Sequence, residues 1–279
     1  MSRVLLTSLL ALAVAAPALA DDKKSALTLV VMDPLALPLS CPCVKGYAQR
    51  DYDKLAKFLE KELGRPVAVH FSESLTAALQ KKTEGKADII IGKHSVVESE
   101  AKASNLKISP VLSLTGKDGK TTMTGLMVVP AKDPALTAAD LKGYRIIFGT
   151  ADCDEKYAAA FNLLKENAIA LPKKPETCSA CSDGATKILE LFRGGEKCAT
   201  VISSYAAPLL EGCGTINKGD LRVVGETDPV PFVVAFVNTT TVSDNRVAEA
   251  LLKMKSVPDL MTALETKGGF VKFETTKKK

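Results

Sequence analysis

Apolar and polar residues along the chain alternate in blocks that switch between the strand and helix periods. Residues 28–32 form a short β-rich apolar run. Residues 51–63 then place Tyr52, Leu55, Phe58, Leu59 and Leu63 on one face at helical spacing. Gly64 caps that helix and Pro66 follows it. Residues 67–71 read as a second strand. Ser72 caps a helix that turns Leu75, Ala78 and Leu79 inward, and Glu73 falls in its first turn. Residues 88–91 make a third strand ending at Gly92. Strand, helix, strand, helix, strand is α/β alternation and predicts parallel pairing.

The pattern then repeats. Strands at 105–114 and 122–129 flank the turn Gly116-Lys117-Asp118-Gly119. A short helix around Asp140 and Leu141 ends at Gly143, and a buried strand spans 144–148. A helix starting near Asp152 to Glu155 runs to 166, a cysteine-rich loop follows, and helices at 184–192 and 205–211 bracket a strand at 198–202. A strand at 221–224 leads to the rigid connector Thr227-Asp228-Pro229-Val230-Pro231, a return strand at 232–238 and helices at 243–253 and 257–266. The C-terminal part thus returns to the first unit. The expected architecture is an α/β clamshell of two lobes joined by two crossover hinge strands. Residues 27–118 with 229–279 are expected to form lobe 1, and residues 119–228 lobe 2.

The start of the chain reads as a processing segment rather than part of this fold. Arg3 gives a positive region, Leu5 to Ala16 are mostly apolar, and Pro17 ends the run. Ala18-Leu19-Ala20 forms a small-x-small cleavage site. A signal peptide over residues 1–20, cut after Ala20, predicts a periplasmic protein. The 259 residues that follow are enough for two packed lobes. The formal net charge of the whole chain is only +5, and no basic stripe is interleaved with aromatics. Nucleic-acid binding is therefore not expected. The absence of tryptophan argues against a sugar cleft built on stacking platforms.

Four stretches carry a family resemblance. They are Tyr52 to Val67, Gly85-Lys86-Ala87-Asp88-Ile89-Ile90-Ile91-Gly92, Asp140-Leu141-Lys142-Gly143 with the strand after it, and Asp228-Pro229-Val230-Pro231. In order and spacing they resemble the phosphonate-type periplasmic solute-binding proteins of ABC transporters, over about residues 27–270. The resemblance implies a periplasmic-binding-protein clamshell that closes on a small-molecule ligand and delivers it to a membrane permease. It implies no enzymatic activity and no required cofactor, and the protein is expected to act as a monomer. Members that bind phosphorylated anions resemble one another in a Ser-x-Ser-Gly type loop at the lobe-two helix start. Here that place reads Asp152-Cys153-Asp154-Glu155. The carboxylates would either oppose a bound anion or compensate the helix dipole.

In open α/β sheets, ligands sit where strands end and helices begin. That rule selects Lys93, His94 and Ser95 after the third strand, Asp152 and Asp154 after the strand at 144–148, and Ser203, Ser204 and Tyr205 after the strand at 198–202. Lys45, Tyr47, Gln49 and Arg50 lie in the first loop, within reach of a ligand from lobe 1. His94 and Ser203 could equally serve as helix-start hydrogen bonders.

Seven cysteines lie beyond the processing segment, so an odd thiol is left in a disulfide-permissive compartment. Cys41-Pro42-Cys43 is placed at the cleft mouth. With Cys153 it could hold a soft metal such as copper or zinc, or it could supply disulfide partners. Cys178 and Cys181 read as structural bridging upstream of a helix, and Cys198 and Cys213 as a bridge or as buried thiols. An alternative to solute capture is therefore an accessory protein on the same fold that handles metal or redox chemistry through the Cys-Pro-Cys loop. No nucleophile elbow, His-Glu-x-x-His or phosphate-binding loop motif is present.

Overall fold

The computed structural model describes residues 25–40 and 49–274. Its first segment runs β1 (Leu27–Met32), α1 (Tyr52–Leu63), β2 (Val67–Phe71), α2 (Leu75–Lys81), β3 (Ile89–Lys93), α3 (His94–Ala103) and β4 (Ile108–Leu114). The short strand β5 (Thr122–Met123) leads out to β6 (Gly125–Pro130), β7 (Arg145–Phe148), α4 (Ala158–Glu166) and β8 (Glu176–Thr177). Then come α5 (Cys181–Arg193), β9 (Cys198–Ser203), α6 (Ala206–Gly212) and β10 (Leu221–Glu226). The chain returns through β11 (Val230–Pro231) to β12 (Val233–Asn238), α7 (Asp244–Lys253), α8 (Pro258–Ala263) and β13 (Phe270–Lys272).

Two sheets result. One has the order β13-β4-β12-β3-β1-β2, the other β10-β6-β9-β7-β8. Each lies between helices, so its strands are buried on both faces and read as continuous apolar runs. In β1, Leu29 and Val31 face α1, α7 and α8, where they meet Leu55, Leu59, Leu251 and Leu260. Val30 and Met32 face the opposite way, toward Leu75, Ala78 and Val97 of α2 and α3. Period-two alternation thus feeds two cores from one strand. The second sheet does the same. Met127, Phe148 and Val201 pack with Ala160 and Leu164 of α4, and Val128, Ile147 and Ile202 pack with Ala185 and Ile188 of α5.

The pairing is mixed rather than parallel. β1 is parallel to β2 and β3, but the returning β12 enters between β3 and β4 antiparallel to both. In the second sheet β9 is parallel to β7, and β6 is antiparallel to β9 and β10. The reason is topological: a chain that leaves one lobe and comes back must re-enter its sheet in the reverse direction. The two connecting segments meet as a small ribbon, with Val230 opposite Met123 and Pro231 opposite Thr122. This ribbon is the double crossover between the lobes.

Two local expectations change. Ser74, not Ser72, caps α2, because its Oγ accepts from the Ala77 N–H and donates to Glu100. The helix expected over 154–166 is broken. A 3₁₀ turn at Asp154–Lys156 is separated from α4 by Tyr157, whose φ of −125° and ψ of −79° are not helical. The N-terminus of α4 therefore begins beyond the loop that the carboxylates occupy.

Candidate ligand-binding cleft

The C-terminal end of β3 supplies three consecutive residues on the lobe-one side. Lys93 is the last residue of the strand and is buried, while His94 opens α3 with Ser95 behind it. From the lobe-two side comes the loop after β7 with its 3₁₀ turn. Two glycines let that turn lie close to the sheet. A Cβ on Gly125 would stand 2.0 Å from the Glu155 carbonyl oxygen, and one on Gly149 would stand 2.5 Å from the Lys156 Cβ. The end of β9 contributes Ser203, followed by Ser204 and Tyr205.

These elements meet across the cleft. The Lys93 ammonium lies 2.6 Å from Glu155 Oε1, and both groups are buried. Ser203 Oγ donates to the same Oε1 at 2.6 Å. Ser95 Oγ donates to the Asp152 carbonyl at 2.7 Å and accepts from the Asp154 N–H at 3.3 Å. At the back, Tyr205 stacks on Phe232, with ring centroids 5.2 Å apart. Burial works against the charge of Lys93, yet Glu155, helped by Cys153, outweighs it and holds the ammonium above the ordinary lysine range. Lys156 is also shifted upward: burial opposes its charge, and the Cys181 and Cys153 sulfurs favour it. Burial pushes the Tyr205 phenol well up, so it remains a neutral hydroxyl.

Of the residues chosen from the sequence, Lys93, Ser95, Asp152, Asp154 and Ser203 are thus brought into one network, with Tyr205 beside it. Asp152 and Asp154 take part through their backbone carbonyl and N–H rather than through their carboxylates. His94 stacks on Phe273 at 5.1 Å, lies 5.7 Å from Phe236 and pairs with Glu98 at 3.4 Å. Burial lowers its pKa, against the pull of Glu98 and Asp154. Ser204 Oγ accepts from the Thr124 N–H and so holds the crossover strand. Arg50 turns inward to Asp33 at 2.9 Å and lies over the Phe232 ring. Gln49 beside it is half-buried. Lys45 and Tyr47 lie outside the described residues.

Glu155 and Lys156 are the buried charged residues of this loop that sequence reasoning passed over. The signal was present, since Glu155 belongs to the carboxylate run in the lobe-two loop. A carboxylate within a turn reads as solvated, however, and only the approach of Lys93, 62 residues away in sequence, makes it a buried partner. An open groove of about 470 Å³ lies between α1 and α8, lined by Lys54, Phe58, Asp259 and Leu260. It shares no residue with this network.

The expected disulfides in lobe two are not formed. Cys153, Cys178, Cys181 and Cys198 are free thiols. Cys198 is buried in the core under α5 and its Sγ–H donates to the Ile188 carbonyl, so no bridge to Cys213 is made. Desolvation raises its pKa to about 11. Cys181 is the first residue of α5 rather than upstream of it, and its sulfur accepts from the Ser203 N–H at 3.4 Å. Cys178 instead directs its thiol to the Phe148 carbonyl at 3.5 Å. Among the described residues no group of three or more His, Cys, Asp or Glu side chains is placed to hold a metal ion. Cys41 and Cys43 lie outside those residues. No helix among them is long and apolar enough to cross a membrane.

A family model described as the periplasmic substrate-binding protein of phosphonate ABC transporters matches residues 46–279. The chain belongs to this family. Members are periplasmic solute-binding components of transporters rather than enzymes, and the chain is accordingly a periplasmic substrate-binding protein that takes a small ligand between its lobes. No curated protein matches the sequence. Solved structures share the fold at low identity. XAC2383 from Xanthomonas citri bound to ATP is 17% identical, with a TM-score of 0.63 over 90% of this chain and 92% of that one. A binding-protein component of an ABC phosphonate transporter (PA3383) from Pseudomonas aeruginosa is 11% identical, with a TM-score of 0.61 over 89% and 81%. PhnD1 from Prochlorococcus marinus in complex with methylphosphonate is 12% identical, with a TM-score of 0.59 over 89% and 93%.

Proposed function

We propose that this substrate-binding protein captures its solute at the junction of Lys93, Ser95, Glu155, Ser203 and Tyr205, and that closure of the lobes on the solute creates the form its permease reads. The reading rests above all on the pair between Lys93 and Glu155. It joins the end of a strand in one sheet to a loop of the other, so it is a direct contact between the two lobes. A polar group buried by closure is returned to water by opening, and a ligand that contacts both sides shifts that equilibrium by its differential affinity for the two forms.

On this reading the lobes are residues 27–118 with 229–279 and residues 119–228. The chain is exported by cleavage after Ala20, acts as a monomer, catalyses no reaction and requires no cofactor. Its partners are the solute and an ABC permease. The deciding experiment is native mass spectrometry of the periplasmic protein purified without ligand stripping. A non-covalent organic adduct is expected, lost on denaturation and absent from a Ser203→Ala, Tyr205→Ala variant. An adduct retained in that variant would place the solute elsewhere.

A further inference from the structure

Glu155 stands in the cleft as an anion that the chain itself provides. Its side chain is fully buried. Oε1 takes the Lys93 ammonium from one lobe and the Ser203 hydroxyl from the other, each at 2.6 Å. An ammonium and a hydroxyl converging from two lobes are the donors that would hold an oxyanion of a ligand. Here they hold a carboxylate. The second oxygen, Oε2, is buried and has no hydrogen-bond partner among the described residues. A buried acceptor left unpaired is costly, so its position favours an incoming donor.

We propose that Glu155 is the residue that determines the specificity of this cleft. It occupies the anion subsite and excludes phosphate and phosphonate dianions, and the solute it admits carries no net negative charge and donates a hydrogen bond to Oε2. The inference rests on the cleft being the ligand site. Its physical basis is like-charge exclusion. Two anions cannot share Lys93 and Ser203 in a desolvated site without one of them being protonated or displaced. Lys156 packs its stem against Gly149 and donates to the Ser179 carbonyl at 3.4 Å; it feels both Lys93 and Glu155, but it makes no hydrogen bond to the Glu155 carboxylate.

The test is titration calorimetry with methylphosphonate and with inorganic phosphate at neutral pH. The proteins compared are the wild type, Glu155→Ala, Glu155→Gln and the double variant Lys93→Ala, Glu155→Ala. The wild type is expected to bind neither probe. Glu155→Ala is expected to gain affinity for both by tenfold or more, and its lowered melting temperature should be rescued by phosphate but not by chloride. Glu155→Gln should gain less, and the double variant should lose the gain. Wild-type affinity for methylphosphonate equal to or above that of Glu155→Ala would overturn the proposal, as would a folded Glu155→Ala that gains none. Binding of either probe by the wild type overturns the proposal even if the alanine variants do not fold, and Glu155→Gln, which keeps the side-chain volume, supplies a second reading of the gain. Phosphonate binding by the wild type would leave the solute-receptor reading intact. A wild type that carries no solute in native mass spectrometry would count against that reading, while the Glu155→Ala titration would still report on the subsite.

Discussion

Two buried ion pairs in this molecule have nearly the same chemistry and opposite roles. In lobe one, Asp33 Oδ2 accepts from the Arg50 guanidinium at 2.9 Å and from the Tyr52 hydroxyl at 2.5 Å. Across the cleft, Glu155 Oε1 accepts from the Lys93 ammonium and the Ser203 hydroxyl. Each is a carboxylate between a cation and a hydroxyl. All three residues of the first cluster belong to one lobe, between the end of β1 and the start of α1. Its partners therefore need not separate when the lobes move apart. The second cluster is divided between lobes, so opening hydrates it. The difference teaches that burial alone does not make an ion pair structural. What matters is whether the elements that carry the partners can separate.

That contrast predicts a hierarchy of effects. Replacing Asp33 by Ala should be the most damaging. It strands Arg50, whose burial already works against its charge and which Asp33 holds above the ordinary arginine value. The cost should be about 3–5 kcal/mol in denaturant unfolding, as for other buried pairs broken on one side. Removing Glu155 should cost less, because Lys93 can reach water by lobe opening. A double-mutant cycle of Lys93→Met and Glu155→Leu should therefore give a coupling of about 0.5–3 kcal/mol in unfolding and a larger radius of gyration in scattering. A parallel change at Asp33 should leave the radius unaltered. If Glu155→Leu destabilised the fold as much as Asp33→Ala, the comparison would fail.

Gly125→Ala should act on the latch without touching its charges. Its new methyl meets the Glu155 carbonyl, and relief of that overlap should cost about 1–3 kcal/mol. Gly125 and Glu155 belong to the same lobe, so the cost should appear as lost stability in denaturant unfolding rather than as lobe opening. The smallest effect belongs to His94. Its pKa is lowered in the fold, chiefly by burial, although Glu98 and Asp154 face it and favour the charged form. A group whose folded value is depressed contributes stability above its unfolded value of about 6.5, and loses it as pH falls through the folded value. A modest loss of melting temperature is expected on that acid limb, and His94→Phe should remove it while keeping the stack on Phe273.

Much of the fold was legible because the sheets are buried on both faces. Continuous apolar runs bounded by Gly64, Pro66, Gly92 and Gly143 fix where strands and helices begin, and the strand over 67–71 matches residue for residue. The order and spacing of those runs carried the family resemblance. Legibility failed where a local reading competed with a distant partner. Asp152 to Glu155 looks like the acidic first turn of a helix, yet Tyr157 breaks that helix and the carboxylate of Glu155 turns to Lys93. The cysteines of lobe two look like bridges by spacing and composition, yet Cys198 is enclosed under α5 and Cys181 hydrogen-bonds to Ser203.

By itself, then, the sequence determined most of the secondary elements, the two-lobe α/β plan and the strand ends that face each other between the sheets, since all of these follow from short-range periodicity and from glycine and proline punctuation. Only the tertiary structure decided that β12 runs antiparallel inside the first sheet, that Arg50 is spent on Asp33, and that Glu155 rather than Asp152 or Asp154 answers Lys93. Those outcomes depend on which side chains meet after the chain has crossed twice between the lobes. A pairing over 62 residues of sequence leaves no local pattern to read.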